Sequence, residues 1–395
     1  MSNGKMNHLV LERKADCCGC SACYSACPVK AISMVKDEEG FLYPGINESK
    51  CVNCGLCLKK CPIIQKNKCD KTNSFYAVKH KKEEIRSASS SGGIFSAMAQ
   101  SVISGGGVVY GAAYDKQFSV KHIRTTDEDW KKLRTAKYVQ SNMEDIFAHV
   151  KEDLVQGYEV LFTGTPCQIA GLKNYLTGVE TNKLITSDLV CHGVPSPGIW
   201  SEYLEYLSGK TKSTIGKINF RNKNGCGWHN STVKIESATG DVLLNESQSQ
   251  AFFSRLFFNH LILRPCCYSC QYANLNRVGD ITIGDYWGIE NYYPELDDDK
   301  GVSLVMANTE KGKHFLKRIG AECQWVSIRE EECMQPNLKT PAQDFGGRDA
   351  FWTLYKKYGL EWTGKRLGYL DKTLWDKMVI LGMRVFDKAK NLFGA

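Results

Sequence analysis

A cysteine spacing near the N-terminus, present in two copies, constrains this chain more than any other feature. Both copies have the form CxxCxxCxxxCP, the first ending at Pro28 and the second at Pro62. Cys18 also lies within the first copy but does not fit the spacing. The cysteines that do fit are, in chain order, Cys17, Cys20, Cys23, Cys27, Cys51, Cys54, Cys57 and Cys61. A repeat of both cysteines and proline predicts two related metal-binding sites.

This repeated spacing is typical of domains that bind two 4Fe-4S clusters, in which the fourth cysteine of each run binds the other cluster. Cys17, Cys20, Cys23 and Cys61 are therefore expected to hold one cluster. Cys27, Cys51, Cys54 and Cys57 are expected to hold the second. Zinc is the weaker interpretation, because a zinc site pairs two CxxC knuckles and needs neither the third cysteine nor the proline. We predict a bacterial-type ferredoxin domain over residues 1–72.

The rest of the composition narrows the class of protein. A chain of 395 residues buries a large core without cross-links, so its 18 cysteines indicate metal ligands or redox groups rather than disulfides. No segment has the pattern of a signal peptide or a bilayer-spanning helix, which predicts a cytoplasmic protein. The net charge of +8 suits anionic cofactor phosphates or an acidic partner and is too small to indicate nucleic-acid binding.

A different pattern begins near Asn73, where short β-rich runs alternate with helical ones. Strands are predicted over residues 75–79 and 107–114, with a serine-rich loop and an amphipathic helix between them. The loop contains Ser89, Ser90, Ser91, Gly92 and Gly93. Its hydroxyls and backbone N–H groups at a helix N-terminus favour a phosphate or pyrophosphate. An ordinary helix cap without a ligand remains the alternative.

Two further strand–helix units each place a cysteine where a strand ends. A strand over 158–162 precedes a helix that begins at Pro166, with Cys167 in its first turn, and a strand over 184–190 leads to Cys191. In open α/β sheets, ligands bind beyond the carboxyl ends of the strands. The two thiols are therefore expected to share one site.

A late CxxC pair, Cys267 and Cys270, lies just before a predicted strand over 279–284 and can bring two more thiols to that site. Spacing alone leaves an alternative open. Isolated cysteines such as Cys226, Cys323 and Cys333 are more often small buried residues than ligands.

From Cys17 to about Pro336 the chain resembles the coenzyme F420 (deazaflavin) hydrogenase/dehydrogenase beta-subunit family. Its relatives include formate dehydrogenase beta subunits and chlorophyll b hydroxymethyl reductase. The segments that carry the resemblance are SSSGGIFSA, TAKYVQS, GTPCQIAGLKN, DLVCHGVPSP and CYSCQYANLNRVGDITIGDYWG.

The resemblance implies an iron–sulfur flavoprotein that binds FAD. It implies a third 4Fe-4S cluster held by Cys167, Cys191, Cys267 and Cys270. It makes the SSSGG loop a cradle for the FAD pyrophosphate. It adds Lys137, Tyr138 and Ser141 as flavin contacts, with an ordinary solvated lysine as the alternative for Lys137. We expect a mixed α/β fold in which a flavin-binding domain over 73–340 follows the ferredoxin-like domain.

The predicted function is that of an oxidoreductase. Ferredoxin-type clusters, a third cluster and FAD would exchange electrons with a small-molecule substrate, a deazaflavin coenzyme being one candidate, and with a ferredoxin or another redox partner. The alternative is an electron-transfer subunit that serves a separate catalytic partner. No catalytic residue is assigned, because His192, His229 and Asp285 fit a structural role as well as a proton-transfer role.

The C-terminal segment, residues 341–395, is predicted to be a basic helical tail. Its pattern indicates an amphipathic helix over residues 371–393. The apolar face of such a helix usually covers the core of its own chain. The alternative is docking on a partner or on an anionic membrane surface, which would place the protein at the inner face of a membrane.

Overall fold

The computed structural model describes residues 7–67, 74–371 and 377–380. The strands are β1 Ile32–Lys36, β2 Leu42–Ile46, β3 Ser74–His80, β4 Val108–Tyr114, β5 Val120–Thr125, β6 Val160–Gly164, β7 Leu184–Leu189, β8 Ile215–Asn222, β9 Thr232–Ser237, β10 Val242–Ser247, β11 Ile281–Asp285, β12 Ser303–Ala307 and β13 Cys323–Ile328. The α-helices are α1 Ala22–Ser25, α2 Leu56–Lys60, α3 Glu83–Ser87, α4 Ile94–Ser104, α5 Ile146–Val155, α6 Pro166–Tyr175, α7 Pro197–Thr211, α8 Phe252–Phe258, α9 Glu310–Arg318 and α10 Arg348–Leu367.

The N-terminal unit reproduces the sequence repeat in its structure. Helices α1 and α2 each carry the third cysteine of one repeat, Cys23 or Cys57, and both cysteines are buried. Each helix follows a residue with left-handed backbone, Ser21 at φ 64° and Gly55 at φ 71°. The antiparallel pair β1–β2 completes the unit. The predicted ferredoxin-like region is confirmed.

The main sheet has eight strands in the order β13-β3-β12-β11-β7-β6-β4-β5. The central strands β4, β6, β7 and β11 run parallel to their neighbours in this group, whereas the outer pairs are antiparallel. Strand β6 is buried along its whole length, as expected for the centre of a parallel sheet covered on both faces. The strands predicted from sequence correspond to β3, β4, β6, β7 and β11, with ends that differ by two residues or fewer.

Helices cover both faces of this sheet. Side chains of α4 and α9 form the core on one face, and α5 and α6 pack on the other. A separate core joins α7, α8 and α10 to the antiparallel sheet of β8, β9 and β10. Within α10, Phe351, Trp352 and Leu360 are buried in that core. The first part of the predicted tail therefore packs on its own chain.

The helix predicted over 371–393 lies outside the described residues, apart from Asp371 and the helical residues 377–380. The sequence pattern did not locate α10. Its backbone departs from helical geometry at Gly359, where φ is 75°, so the apolar residues before and after this kink follow no single helical period. Within the described part of the chain, no helix combines the length and apolar character needed to cross a bilayer.

The N-terminal unit lies directly against the sheet domain. A Cβ atom on Gly171 of α6 would lie 2.8 Å from the Sγ of Cys20, so only glycine permits this approach. From the same helix, Asn174 Nδ2 donates a hydrogen bond to the Gln65 carbonyl at 2.8 Å. On another side, Arg348 of α10 forms an ion pair with Glu39 that is almost fully buried. The packing therefore places the first cysteine repeat beside α6.

Candidate functional site: three groups of cysteines

The first group of thiols surrounds a small cavity in the N-terminal unit. The expected ligands Cys17, Cys20, Cys23 and Cys61 line this cavity together with Cys18 and apolar side chains such as Leu9 and Ile63. Burial, followed by the neighbouring thiols, raises the pKa of Cys23 to about 12. Thiols this hard to ionise are held close together without a disulfide, which suits a metal cluster that binds them as thiolates. The grouping contains three cysteines of the first repeat and the last of the second.

The second group lines another cavity in the same unit. Cys27, Cys51, Cys54 and Cys57 surround it, with Val29, Val52 and Ile46 among the apolar neighbours. This group lies closer to solvent, since Cys54 is exposed and the side chain of Val52 is 61% exposed. In each cavity the fourth cysteine comes from the other repeat. This is the exchange that the spacing predicts.

The third group assembles from distant parts of the chain. Cys167 lies in the first turn of α6, and Cys191 lies just beyond β7. Because β6 and β7 are parallel neighbours with Gly164 opposite Asp188, their carboxyl ends meet at one edge of the sheet. Cys267 lies within the 3₁₀ turn Pro265–Ser269, and Cys270 follows it.

The pKa of Cys191 reflects the closeness of the four thiols in the third group. Burial raises the pKa of Cys191 well above its usual value, and the thiols of Cys267, Cys167 and Cys270 raise that pKa further. Burial and Cys167 likewise raise the pKa of Cys270 to about 12. Without a metal, these buried thiols are hard to ionise. A metal cluster would stabilise them as thiolates, because metal-bound thiolates have released their protons.

A buried ion pair fixes the loop that follows Cys270. Arg277 donates to Asp188 at 2.8 Å, and both side chains are almost completely buried. Asp188 also accepts hydrogen bonds from Thr282 Oγ1 at 2.6 Å and from the Gly279 backbone at 2.8 Å. These contacts tie the late CxxC segment to the ends of β7 and β11. Its cysteines are therefore held beside Cys191 by hydrogen bonds.

Two further cysteines lie between the first and third groups. Cys18 is buried in one cluster with Cys20, and Cys167 and Cys266 pack against that cluster. The thiol of Cys266 also influences the ionisation of the neighbouring Cys267. From the sequence, Cys18 was only a cysteine that did not fit the repeat. The only sequence signal for Cys18 was its position within the first cysteine repeat.

The predicted phosphate loop uses most of its groups for internal contacts. Ser89 donates to the Ile85 carbonyl at 2.7 Å, and Ser91 donates to the Val302 carbonyl at 2.9 Å. The backbone N–H of Gly92 donates to Ser303 Oγ at 3.0 Å, and Gly93, with φ 93°, precedes α4. These contacts give the loop a fixed shape at the helix N-terminus.

Ser90 connects this loop to the TAKYVQS segment, because its Oγ accepts a hydrogen bond from the Ala136 N–H at 2.8 Å. Lys137 in that segment donates to the carbonyls of Arg134 at 2.8 Å and Thr135 at 3.2 Å. Burial lowers the pKa of Lys137 to about 7. The alternative of an ordinary solvated lysine therefore does not describe Lys137. The structure brings the two predicted flavin-binding segments into contact.

The other two predicted flavin contacts lie close to Lys137 in the chain. The ring of Tyr138 packs against Phe220 and Phe257, with 5.2 Å between ring centres in each case. Ser141 is buried, and its Oγ accepts a hydrogen bond from Gln168 Nε2 at 2.9 Å. Gln168 belongs to α6, one residue after Cys167. The TAKYVQS segment thus connects the phosphate loop to the helix that carries Cys167.

The three candidate proton-transfer residues fall into two places. His192 lies next to the third cysteine group and contacts His260, with 2.9 Å between their Nε2 atoms. Burial, then His260, lowers the pKa of His192 to about 4. Asp285 instead accepts a hydrogen bond from Trp228 Nε1 at 3.0 Å, and His229 is paired with Asp297 at 2.7 Å.

Around Trp228 the structure forms an aromatic and charged patch. The rings of Trp228 and Trp287 stack with 4.7 Å between centres, and the Arg221 guanidinium lies 4.8 Å from the Trp287 ring centre. Trp287 is 40% exposed, whereas Trp228 is fully buried. His229 and Asp285 both contact Trp228, so these two candidates lie together and apart from the contacts of His192.

The sequence analysis missed Arg264, which lies three residues before the late CxxC pair. Its side chain is fully buried, and its Nη2 lies 3.5 Å from the Sγ of Cys17. Arg264 therefore touches the first cysteine group from the domain that carries the third. An arginine next to a Pro-Cys-Cys sequence was the only available signal, and it does not reveal burial.

Two regions of the chain match families of known proteins. Residues 157–331 match the family of the C-terminal part of the coenzyme F420 hydrogenase/dehydrogenase beta subunit. Residues 16–63 match the 4Fe-4S dicluster domain. A relative from Methanosarcina mazei, named as a subunit of F(420)H(2) dehydrogenase, is 20% identical over 321 residues, which are 78% of this chain and 83% of the relative.

Two other relatives differ in how much of the chain they match. A ferredoxin of Methanocaldococcus jannaschii is 35% identical over 54 residues, which are 14% of this chain and 68% of that protein. A chain in the structure of the F420-reducing [NiFe] hydrogenase complex from Methanosarcina barkeri has 19% identity and a TM-score of 0.47, covering 75% of this chain and 91% of that one. The chain therefore joins a 4Fe-4S dicluster domain to a region that matches the family of the C-terminal part of the coenzyme F420 hydrogenase/dehydrogenase beta subunit.

Proposed function

We propose that this chain transfers electrons between two ferredoxin-type clusters, a third 4Fe-4S cluster and FAD in order to reduce or oxidise a small-molecule substrate. The carrying observation is the contact between the first and third cysteine groups, in which Cys18 and Cys20 form one buried cluster against which Cys167 packs. Iron–sulfur clusters supply one-electron transfer, and a flavin exchanges single electrons for a hydride. The three thiol groups and the two flavin-binding segments would serve one continuous route.

Support for a third cluster comes from the donor set. Cys167, Cys191, Cys267 and Cys270 bring four buried thiols together at one edge of the sheet. Four cysteine thiolates are the usual ligands of such a cluster. Cys18 and Cys266 would then lie beside the ligands. Only packed side chains such as these would separate the third cluster from the first.

Support for FAD comes from the contact between Ser90 and Ala136. It brings a loop at the N-terminus of α4 together with the segment that contains Lys137. The helix N-terminus favours a pyrophosphate, and a lysine whose pKa is about 7 can take up a proton to stabilise negative charge on a reduced flavin ring. The chain would thus hold the cofactor's phosphates and its ring with neighbouring segments.

The second cysteine group is the point at which we expect electrons to enter or leave. Exposed Cys54 and Val52 bring this group to the surface of the N-terminal unit. A redox partner, either a ferredoxin or another subunit, would dock there. Because the relative in Methanosarcina mazei is named as a subunit of a dehydrogenase, a stable partner chain is part of this proposal. The substrate class we favour is a deazaflavin coenzyme, as the family name suggests.

Metal and flavin analysis of anaerobically purified protein tests the proposal. We expect about twelve iron atoms and one FAD per chain, corresponding to three four-iron clusters. About eight iron atoms would remove the third cluster. Absence of flavin after reconstitution with FAD would remove the flavoenzyme and favour an electron-transfer subunit that serves another catalytic chain.

A substitution at Ser90 tests the flavin site separately. S90V removes the oxygen that accepts from Ala136 and places methyl groups in the loop, so we expect FAD affinity to fall at least tenfold, or about 1.4 kcal/mol. The matched control is S104V, the same substitution at the exposed serine that ends α4, which should leave FAD affinity unchanged. Equal FAD affinity in S90V and the unsubstituted protein would place the flavin elsewhere. Fluorescence titration with FAD measures both.

A further inference from the structure

Arg264 is a fully buried cation whose direct hydrogen-bond acceptors include no carboxylate. Its Nε donates to the Cys17 carbonyl at 2.8 Å, Nη1 to Gln140 Oε1 at 2.9 Å and Nη2 to the Leu42 carbonyl at 3.0 Å. All three acceptors are neutral. Arg277 and Arg348, in contrast, each pair with a buried carboxylate. Across residues 7–67, 74–371 and 377–380, no carboxylate forms an ion pair with Arg264, and the groups with the largest electrostatic influence on it are thiols and a tyrosine.

A buried charge without a counter-ion costs several kcal/mol, so a fold that retains one normally supplies an opposite charge. The rings of Tyr43, 4.1 Å from the guanidinium, and Phe41, 5.4 Å away, supply only part of this compensation. The nearest group that can become anionic is Cys17, whose Sγ lies 3.5 Å from Nη2. A 4Fe-4S cluster with thiolate ligands is negatively charged as a whole. It would provide the missing counter-ion.

The loop between Cys17 and Cys20 is shaped around the guanidinium. Gly19 has φ 70°, and a Cβ atom there would lie 2.8 Å from Arg264 Nη1 and 2.7 Å from Gln140 Nε2. Any other residue at this position would push the arginine away from the cluster ligand. The N-terminal unit and the sheet domain therefore also meet at this cation, in addition to their contacts through α6 and Arg348.

The second cysteine group has no such contact within the described part of the chain. The hydrogen bonds to its sulfurs come from the backbone N–H groups of Leu9 and Ala31, none comes from a lysine or arginine, and the group lies nearer to solvent. The one acidic residue that lines the first cavity, Asp16, is already paired with Arg13 at 2.7 Å. The two ferredoxin sites thus differ in local charge by one buried cation.

We propose that Arg264 raises the reduction potential of the cluster held by Cys17, Cys20, Cys23 and Cys61 above that of the second ferredoxin-type cluster. A fixed positive charge and an N–H group directed at a ligand sulfur both stabilise the more negative, reduced cluster. The higher potential lies at the cluster that faces the third cysteine group. Electrons that enter at the exposed second site would collect at the first. This inference rests on the dicluster domain and needs neither the flavin nor the third cluster.

A redox titration of the full chain, followed by electron paramagnetic resonance under anaerobic conditions, tests this. In the unsubstituted protein we expect the first cluster to be reduced at a higher potential than the second. C54S, which alters a ligand of the second cluster, assigns the two signals. In R264Q we expect the equilibrium constant for one-electron reduction of the first cluster to fall at least tenfold, which lowers its reduction potential by about 59 mV. The potential of the second cluster should not change.

The matched control is R13Q. Arg13 lies four residues before Cys17 and carries the same charge, but its side chain is 76% exposed and already paired with Asp16. Water and salt screen such a charge, so its removal should shift the first potential several times less than R264Q does. R264K, which keeps the charge but loses the planar fork, should fall between R264Q and the unsubstituted protein.

Two results would overturn the proposal. The first is equal potentials, or a lower potential for the first cluster, in the unsubstituted protein, a result that stands even if R264Q loses iron. The second is an equal shift in R264Q and R13Q. Protein prepared without flavin should show the same order of potentials, so failure of the flavin assignment would not imitate either result.

Discussion

The N-terminal ferredoxin-like unit and the third cysteine group are built in opposite ways. The first and second groups are formed almost entirely by local spacing, with short helices and left-handed residues that repeat within residues 7–67. The third group depends on the register of β6 and β7 and on a loop held by Arg277 and Asp188. Local sites tolerate change elsewhere in the chain, whereas the third group requires the sheet domain to be folded.

The largest expected effect concerns this difference. C270A should remove one thiol of the third group, and with it about four iron atoms, while both ferredoxin-type clusters remain. Iron analysis and the electron paramagnetic resonance signals of the two N-terminal clusters measure this outcome. C333A, at a buried cysteine outside the three groups, is the control and should keep all the iron. Loss of the N-terminal signals in C270A would show that the two regions do not form separately.

The second prediction concerns the contact between the two regions. R348M leaves the carboxylate of Glu39 buried without its partner, which should lower the free energy of unfolding by about 3 kcal/mol. K356M is the control, since Lys356 and Glu38 join the same segments through a pair that is about half exposed, and its loss should cost under about 1 kcal/mol. Urea unfolding of both variants, followed anaerobically, decides whether a buried pair fastens the N-terminal unit.

The third prediction is that the sheet domain loses free energy of unfolding as the pH falls. Burial, together with the charge of Lys137, lowers the pKa of His122 to about 4 from its ordinary 6.5. Between these values the unfolded chain binds a proton that the folded chain does not. Stability is therefore complete above about pH 6.5 and is lost as the pH falls towards 4, by about 2 kcal/mol at pH 5.

H122F should remove the part of the acid loss that His122 carries, measured as the difference in urea midpoint between pH 7 and pH 5, while the part carried by His192, whose pKa burial also lowers to about 4, remains. His149, which is exposed, provides the control variant H149Q, and its loss of stability on acidification should equal that of the unsubstituted protein. An unchanged acid loss in H122F would mean that another group, in either region, carries the sensitivity.

The smallest expected effect is at the thiol between the two regions. C18A should retain all the iron and lose about 1 kcal/mol of stability, because Cys18 packs between Cys20 and Cys167 without being needed as a ligand. C266A should also retain its iron, whereas C267A should not. The reverse result, iron lost in C266A and kept in C267A, would move the ligand assignment by one residue in the CCYSC stretch.

Much of the fold was predictable, for reasons visible in particular residues. The repeat of cysteines and proline predicted the N-terminal unit, and short β-rich runs that alternate with helical ones predicted β4, β6 and β7. Helix α10 was not located, since Gly359 breaks its period. The convergence of Cys167, Cys191, Cys267 and Cys270 was expected from strand ends and the family resemblance. Their role as ligands stays a prediction.

The repeated cysteine spacing by itself predicted the grouping of eight of the nine cysteines that line the two N-terminal cavities, Cys18 being the ninth. The sequence also determined the alternation of strands and helices that follows. Only the tertiary structure decided that Cys18 touches Cys167, that Glu39 is buried against Arg348, and that Arg264 lies against Cys17 without a carboxylate partner. Those contacts join residues far apart in the chain. Burial and the compensation of charge arise only when whole elements pack together, and no local pattern records them.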